Sequence, residues 1–408
     1  RQSSLYYRPT LETHTGANLI DFAEITLKNS ILSENRDEFK AVNKRMEAEI
    51  TDENEEGFQK DGSFFQHGKQ VQTCSSYGKS LIRMGNFFHV VSASSYQIDT
   101  KRLAIVSRTI TEGFASMSHK GYINYSSNGR EFVREDILDT QVAANTFTQM
   151  KNYLNINNLP DKQGVQAYVD SITNRQSSFS GIKYFDIAKM IAVNTNDLYI
   201  SFKGTDDYLV NTEQVNEENK LGLNLSYGTN TCVMDKGNEY DDISPLWDYT
   251  YIPGTTSINM SSHAHSEEGG SIYNKSLEQS DMLLEEIVKH VYEDSTYEQK
   301  LPEEDNVNYI YSSGYDKTNE VAWLMQRSVS HSENYFTVSC VATKEGMVLI
   351  GADLNYDGSQ TGTFFSDRQI ETKLHTTIEQ CFYKGEHQAP DNKTLIHGNA
   401  KYHVPKTV

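Results

Sequence analysis

The chain has 408 residues, of which 37% are hydrophobic and 23% charged, and its formal net charge at pH 7 is -19. This length predicts two domains of ordinary size, each with its own core. The acidic surplus argues against nucleic acid as a partner, because phosphate binding draws on a surplus of lysine and arginine. It does not exclude an acidic glycan, since a few well-placed arginines and amides in a cleft can hold a polyanion.

The sequence contains no continuous apolar run of about 18 residues, so we expect no membrane span. The first residues, Arg1 to Ser4, lack the basic, apolar and small-residue sections of a secretion signal, which was therefore either removed or never present. The cysteines lie far apart without a CxxC pair, which favours free buried thiols over a zinc or thioredoxin-like motif. They are Cys74, Cys232, Cys340 and Cys381.

Helical periodicity dominates the chain from Ile20 to about Ile172. Apolar residues spaced three or four apart share predicted helix faces, and successive amphipathic helices of this kind suit an α/α toroid. The faces comprise Ile20, Ala23, Leu27 and Ile31, then Phe39, Val42, Met46 and Ile50, and later Leu103, Val106, Ile110, Phe114 and Met117.

The second half of the chain is rich in β-forming residues. Residues 183–193 and 198–203 flank the turn sequence NTND and predict a hairpin. Further strands are predicted at residues 309–312, 335–342, 347–354 and 377–382. Helices followed by strands, without alternation, predict an α+β multidomain fold. We expect a helical domain over residues 1–178, of the α/α incomplete toroid type, followed by an antiparallel β-sandwich domain over residues 179–408.

One stretch is denser in reactive side chains than any other. Residues 61–68 read DGSFFQHG, and Tyr77 with a following glycine comes after a polar run that begins at Gln70. His67 and Tyr77, each next to a glycine, could project into one cleft from a loop between helices. By itself this pattern is weak, because single histidines and tyrosines are more often hydrogen-bonded core residues.

This stretch resembles the motif of the polysaccharide lyase family that contains chondroitin AC, hyaluronate and xanthan lyases, most of all its chondroitin AC branch. Four more segments resemble family motifs in the same order: TGAN at 15–18, NGREFVR at 128–134, TEQVNEENKLG at 212–222 and PLWDYTYIPGTT at 245–256. Five motifs in one order make the resemblance specific. The chain departs from the family pattern by one extra residue between His67 and Tyr77, and it looks short for the family at both ends.

The resemblance implies cleavage of a uronate-containing glycosaminoglycan by β-elimination. In this family a tyrosine, here Tyr77, takes the C5 proton of the uronate and protonates the glycosidic oxygen. The resemblance assigns Asn18 and His67 to the uronate carboxylate, Arg130 to the tyrosine, and Glu213 to orienting Arg130. A phenol with an ordinary pKa near 10 is a poor base at neutral pH, which explains why the reaction needs a neighbouring cation.

Four further residues match substrate-holding positions of the family: Arg134, Asn216, Gln70 and Trp247. The tryptophan could form a platform for a sugar ring, but packing in the core explains it equally well. The resemblance implies no catalytic metal and no required cofactor, and a structural calcium ion is unsupported. The segment from Asp353 begins like a calcium loop, yet Phe364 takes the position of its last ligand.

Simpler interpretations remain open for each residue. Arg130 and Arg134 could form a surface ion-pair row with Glu131 and Glu135. Asn18 could only cap its helix. The glutamates at 213, 217 and 218 could solvate a loop, and a metal at His263 and His265, with Glu267 and Glu268, is less expected than a solvated loop.

Two other classes of function compete with the lyase. A glycoside hydrolase would need two carboxylates flanking one cleft, whereas the acidic residues here cluster with arginine, histidine and asparagine. A binding protein would hold an acidic glycan without cleaving it. For the lyase we expect an acidic polysaccharide as substrate, a monomer, and a secreted or periplasmic location in a bacterium.

Overall fold

The computed structural model describes residues 14–142, 146–205, 209, 218–219, 229–249, 251–258, 309–329, 335–355, 374–382 and 387–404. Its first half is helical. The α-helices are α1 (Gly16–Leu32), α2 (Arg36–Glu49), α3 (Gly85–Val91), α4 (Thr100–Arg108), α5 (Thr146–Tyr153) and α6 (Lys162–Asn174). A π-helix, Thr109–Phe114, extends α4, and two short hairpins pair β1 (Gly57–Phe58) with β2 (Phe64–Phe65) and β3 (Ser118–His119) with β4 (Tyr122–Ile123).

The predicted helix faces are largely the buried ones. In α1, Ile20, Ala23 and Leu27 are at most 3% exposed, as the spacing predicts. The prediction for Ile31 is wrong, because this side chain is 60% exposed in the last helical turn, where no described residue covers it. Helix α2 begins after Asn35, whose Oδ1 accepts a hydrogen bond from a backbone amide of the first turn.

Two four-stranded antiparallel sheets form the second half. The first contains β5 (Gly181–Phe185), β6 (Met190–Asn194), β7 (Tyr199–Lys203) and β8 (Asn230–Met234) in chain order. The second contains β10 (Tyr309–Asp316), β11 (Val321–Val329), β12 (Tyr335–Thr343) and β13 (Gly346–Asn355), also in chain order. Apolar side chains such as Ile191 and Phe202 from the first sheet pack against Leu324 and Cys340 from the second. The prediction of helices followed by antiparallel sheets is confirmed.

Two smaller sheets follow. Strand β9 (Thr256–Ile258) pairs with β14 (Leu374–Thr376), and β15 (His387–Asp391), β16 (Thr394–His397) and β17 (Ala400–His403) form a three-stranded antiparallel sheet. The strand predicted at 377–382 is wrong. There the Gln380 amide donates to the carbonyls of Asp248 and Tyr251, so the segment is fixed by side-chain hydrogen bonds instead of a strand ladder.

The helical half and the first sheet share one hydrophobic core. It includes Tyr168 and Ile172 of α6 together with Phe185, Met190 and Tyr199 of the first sheet. Helix α6 ends at residue 174 and β5 begins at residue 181. The domain division at residue 178 stays a prediction. Among the helices that the structure describes, none is both long and apolar enough to cross a membrane.

Candidate active site

The backbone around Tyr77 is held in a tight turn. The amide of Gly78 donates to the Gln72 carbonyl at 3.2 Å. A Cβ at Gly78 would lie 2.0 Å from the carbonyl oxygen of Thr73, so a larger residue cannot follow the tyrosine without moving this backbone. The Tyr77 side chain is 9% exposed. The turn therefore fixes the phenol at the edge of the core, with a small part open to solvent.

Arg130 connects Tyr77 to a carboxylate. It lies in the 3₁₀-helix Gly129–Val133 and is only 2% exposed. Its Nη2 donates to the Tyr77 Oη at 3.0 Å, and its Nε donates to Glu218 Oε2 at 2.9 Å. A guanidinium does not lose its proton in proteins, so a permanent positive charge lies against the phenol oxygen. Such a charged donor stabilises an anionic oxygen more than a neutral one.

Glu218 holds two arginines at once. Its Oε1 accepts from Arg134 Nε at 2.6 Å, and its Oε2 accepts from Arg134 Nη2 at 3.0 Å as well as from Arg130. Burial alone would raise the pKa of Glu218, but the hydrogen bonds and charges of Arg134 and Arg130 outweigh burial and lower that pKa. The carboxylate is therefore ionised at neutral pH and orients both guanidinium groups. The Arg134 side chain remains 36% exposed, which leaves part of it open to a bound anion.

Glu131 fixes the residue that precedes the tyrosine. Its side chain is fully buried, and its Oε2 accepts from the Ser76 amide at 2.6 Å. The Ser76 hydroxyl donates to the other carboxylate oxygen, which also lies 2.9 Å from Arg134 Nη1. The surface ion-pair interpretation of this arginine pair is wrong, because Arg130 and Glu131 are both buried.

His67 packs against Tyr77 in an unusual backbone conformation. The two ring centroids are 4.7 Å apart, at an interplanar angle of 65°. The φ of His67 is +56°, a left-handed value that costs about 1 kcal/mol or more for a side chain other than glycine. Glu56 supports this conformation, since its carboxylate accepts from Gln66 Nε2 at 2.9 Å and from the Gly68 amide at 2.5 Å.

The imidazole of His67 is neutral at neutral pH. Burial is the main cause that lowers the pKa of His67, and the positive charge of Arg130 lowers it further. The carboxylates of Glu56 and Glu131 act in the opposite direction without reversing the shift. A neutral imidazole can offer one hydrogen-bond donor and one acceptor to a substrate beside the phenol.

Asn18 lies in the first turn of α1 and is exposed. The helix begins after Thr15, so Asn18 is not the N-cap residue and the capping interpretation is wrong. The start of α1 packs directly against the histidine loop, because a Cβ at Gly16 would lie 2.2 Å from Gln66 Oε1. The structure thus brings the helix start of Asn18 to the loop that carries His67.

Two residues predicted to hold substrate are buried. Gln70 is fully buried, and its Oε1 accepts from Gln72 Nε2 at 2.7 Å. Trp247 is 3% exposed, and its ring packs against four aromatic rings. These rings belong to Tyr125, Phe132, Tyr240 and Tyr249. Packing, not a sugar platform, is therefore the interpretation of Trp247 that the structure supports.

The predicted residues Glu213 and Asn216 lie outside the described residues, as do His263, His265 and the calcium-like segment beyond residue 355. Among the described residues, Glu218 is a carboxylate that accepts a hydrogen bond from Arg130, and the role expected for Glu213 stays a prediction. Sequence reasoning also missed Glu131, Ser76 and Glu56. The first two lie next to predicted site residues, so adjacency was the available signal, whereas Glu56 gives no signal in the sequence.

Comparisons with known proteins identify the family of the chain. Residues 5–171 match the polysaccharide lyase family 8 N-terminal alpha-helical domain, and residues 180–281 match the super-sandwich domain of the same family. The chain belongs to polysaccharide lyase family 8. Within this family it is 28% identical to chondroitinase-AC of Pedobacter heparinus over 216 residues. The aligned region covers 50% of this chain and 29% of that protein.

A hyaluronate lyase of Staphylococcus aureus is 26% identical over 201 residues, covering 46% of this family 8 chain and 24% of that protein. The fold resembles a solved structure of chondroitinase AC lyase, studied as enzyme–oligosaccharide complexes, with a TM-score of 0.72 at 20% identity. That match covers 98% of this chain and 55% of the other. The aligned part of the chain thus spans less than a third of the length of each of these two curated relatives.

Proposed function

We propose that the protein is a polysaccharide lyase that cleaves a uronate-containing glycosaminoglycan of the chondroitin or hyaluronan type by β-elimination, with Tyr77 as the proton-transferring residue. The observation that carries the proposal is the hydrogen bond of 3.0 Å from the buried Arg130 guanidinium to the Tyr77 phenol oxygen. The family 8 relatives named chondroitinase-AC and hyaluronate lyase support the substrate class.

The proposed reaction moves one proton and breaks two bonds of the sugar. Ionised Tyr77 takes the proton from C5 of the uronate while the bond from C4 to the glycosidic oxygen breaks, and a double bond forms between C4 and C5. The same phenol then gives its proton to the departing oxygen. Positioned proton transfer of this kind typically contributes about a hundred- to ten-thousandfold in rate. Arg130 favours the phenolate that starts the cycle.

The negative charge that grows on the uronate carboxylate needs its own partners. A neutral His67 beside the phenol can donate a hydrogen bond to this carboxylate, and we assign the same task to Asn18 at the adjacent helix start. Donors placed where charge develops in the transition state lower the barrier, because they need no reorganisation during the reaction. Arg134, with its partly exposed guanidinium, is assigned to the acidic substrate.

The described site does not favour a hydrolase. A glycosidase needs two carboxylates that face the scissile bond, about 5 to 9.5 Å apart. Both carboxylates described beside Tyr77, Glu131 and Glu218, are bound to Arg134 and serve to orient other groups. The alternative of a protein that only binds an acidic glycan is separated from the lyase by the assay below.

The test mixes the protein with chondroitin sulfate, hyaluronan or heparin and follows the ultraviolet absorbance of an unsaturated uronate. We expect absorbance to rise with chondroitin sulfate or hyaluronan and Tyr77→Phe to abolish the rise. Tyr311→Phe is the matched control, since Tyr311 is 48% exposed on β10 and should retain the full rate. New reducing ends without absorbance would indicate hydrolysis, and full activity of Tyr77→Phe would refute the mechanism.

Export from a bacterial cell fits this proposal, because it brings the enzyme to a polymer outside the cell. A monomeric state and a reaction without a cofactor stay predictions. Gel filtration coupled to light scattering tests the first of these predictions, and activity after treatment with a chelator tests the second.

A further inference from the structure

A cluster of three metal-binding side chains lies away from the candidate active site, where the segment after β14 meets the C-terminal sheet. We call it the thiol cluster; it consists of Glu379, Cys381 and His397. Its carboxylate, thiol and imidazole ligand atoms all lie within 4.8 Å of one another. His397 is 5% exposed, and the Glu379 side chain is 11% exposed. The group is therefore largely shielded from water, unlike an ordinary acidic surface patch.

The backbone that carries two of these ligands is anchored. Gln380, between them, is anchored by an amide that donates to the Tyr251 carbonyl at 2.7 Å and by an oxygen that accepts from the Asp248 amide at 2.7 Å. The amide of Phe382 donates to the Glu239 carbonyl at 2.8 Å. Glu379 and Cys381, on either side of this anchored glutamine, both place their ligand atoms within 4.8 Å of the imidazole of His397.

The spacing of the ligand atoms matches one tetrahedral ion. The Cys381 Sγ lies 3.7 Å from His397 Nδ1, and Glu379 Oε1 lies 3.1 Å from the same nitrogen. A tetrahedral zinc with Zn–S near 2.3 Å and Zn–N near 2.05 Å places its sulfur and nitrogen ligands about 3.6 Å apart. The corresponding separation of nitrogen and oxygen ligands is about 3.3 Å. No large movement is needed to bring all three atoms to one ion.

We propose that Glu379, Cys381 and His397 bind one Zn²⁺ ion, which joins the C-terminal sheet to the segment after β14. Thiolate and imidazole are ligands of zinc, whereas calcium and magnesium take oxygen ligands. Among the described residues these three are the ligands, and a tetrahedral zinc ion with three protein ligands takes water in its fourth position. Binding releases the thiol proton of Cys381 to solvent and involves no change of oxidation state.

A cysteine, a histidine and a glutamate could also form a nucleophilic triad, but the contacts argue against one. In a triad the imidazole bridges the nucleophile and the acid through its two different ring nitrogens. Here the Cys381 sulfur and the Glu379 oxygen both lie next to the same nitrogen, Nδ1 of His397. Atoms that converge on one point suit a shared ion.

Tyr402 orients the carboxylate from the neighbouring strand β17. Its hydroxyl donates to Glu379 Oε1 at 2.7 Å. Hydrogen bonds of this kind to a metal ligand are typically worth about 10- to 100-fold in metal affinity. We therefore expect Tyr402→Phe to weaken zinc binding by about that factor while the three ligands remain.

Cobalt substitution tests the proposal directly, because thiolate-bound Co²⁺ gives a charge-transfer band in the near ultraviolet and zinc is spectroscopically silent. The full chain is stripped with a chelator, its fold is verified by circular dichroism, and Co²⁺ and then Zn²⁺ are titrated. We expect one cobalt per chain with the thiolate band, and loss of the band when zinc displaces cobalt. Zinc should also raise the melting temperature of the stripped chain.

Cys381→Ser and His397→Gln should lose the thiolate band, and Cys340→Ala is the matched control. Cys340 is equally a free cysteine, buried between the two large sheets and not part of the cluster, so its removal should leave the band unchanged. The titration of the wild-type chain tests whether the thiol cluster binds a metal ion even where a variant fails to fold. A folded wild-type chain without the thiolate band, or a band that survives in Cys381→Ser, would overturn the proposal.

Discussion

Two buried polar clusters include residues from the segment between residues 119 and 134. They differ in whether their buried side chains are charged. Around Tyr77, the buried Arg130 keeps its charge, and Glu218 is ionised beside it. At the junction of the helical half with the first sheet, burial is the main cause that lowers the pKa of His119 to about 4 and the pKa of Lys203 to about 7. The molecule therefore keeps buried charge beside the phenol and suppresses it at the junction.

The choice of cation explains the difference. A lysine or histidine can escape the cost of burial by losing its proton, whereas arginine cannot and must be paired. Lys203 Nζ donates to the Ser126 carbonyl at 3.0 Å, and the described residues show no carboxylate paired with it. Arg130 has a carboxylate at 2.9 Å. An arginine beside the phenol thus guarantees a positive charge there at every pH at which the protein is folded.

Removal of the positive charge of Arg130 should have the largest effect on the rate of the reaction. We expect Arg130→Met to lower the initial rate of the ultraviolet assay by about a thousandfold, or about 4 kcal/mol, because the phenolate loses its cation. The matched control is Arg175→Met. This change removes an ion pair outside the candidate active site, in which Arg175 Nη2 lies 2.7 Å from Asp139 Oδ2. Its rate should stay within about twofold. A wild-type rate in Arg130→Met would show that charge is not retained there for catalysis.

The next largest effect should come from Glu218→Gln. Both arginines lose the anion that orients them, so we expect kcat to fall by about a hundredfold while the chain stays folded. The drop in kcat should exceed the rise in KM, because the chemical step depends on the position of Arg130. Glu24→Gln removes an exposed carboxylate paired with Lys28 and should leave kcat unchanged. Equal kinetics of Glu218→Gln and Glu24→Gln would contradict a positioning role.

The buried His119 at the junction should make the free energy of unfolding depend on pH. The His119 side chain is buried, with Nε2 3.1 Å from the Asp235 carbonyl and Nδ1 2.8 Å from the Ser177 hydroxyl. Its folded pKa of about 4 lies below the ordinary 6.5, so the unfolded chain binds the proton more readily. The stability contribution is complete above the unfolded pKa and declines as pH falls toward the folded pKa.

We therefore expect the free energy of unfolding to drop by about 2 kcal/mol from this group between about pH 7.5 and pH 5. Urea unfolding at both pH values measures the drop, and His119→Gln serves as the reference that lacks the titrating group. The pH-dependent drop should be larger in the wild type than in the variant by that amount. The same drop in both proteins would mean that His119 is not held neutral at the junction.

Much of the site could be predicted from the sequence because it lies in short motifs. His67 and Tyr77 belong to one motif, and Arg130 belongs to the next. Glu218 could not be selected in the same way, because Glu213 and Glu217 share its polar segment and no period distinguishes them. Only tertiary structure decides which carboxylate reaches the guanidinium groups.

Burial was the weakest part of the prediction. Glu131, between two arginine-containing motif positions, reads as part of an exposed charged row, yet a short 3₁₀-helix places it in the interior. The alternation at 377–382 suggests a strand, but hydrogen bonds of Gln380 take the place of a ladder. In both places a local pattern was overridden by partners distant in sequence, which local periodicity does not record.

The smallest predicted effect concerns Ser76, which connects Glu131 to the tyrosine turn. Ser76→Ala removes the hydroxyl hydrogen bond to Glu131 but keeps the backbone amide bond of 2.6 Å. Since one of two hydrogen bonds remains and Arg134 still pairs with the carboxylate, we expect kcat to fall only about threefold to tenfold, or roughly 1 kcal/mol. A loss as large as that of Glu218→Gln would mean that the hydroxyl, and not the buried charge, positions the phenol.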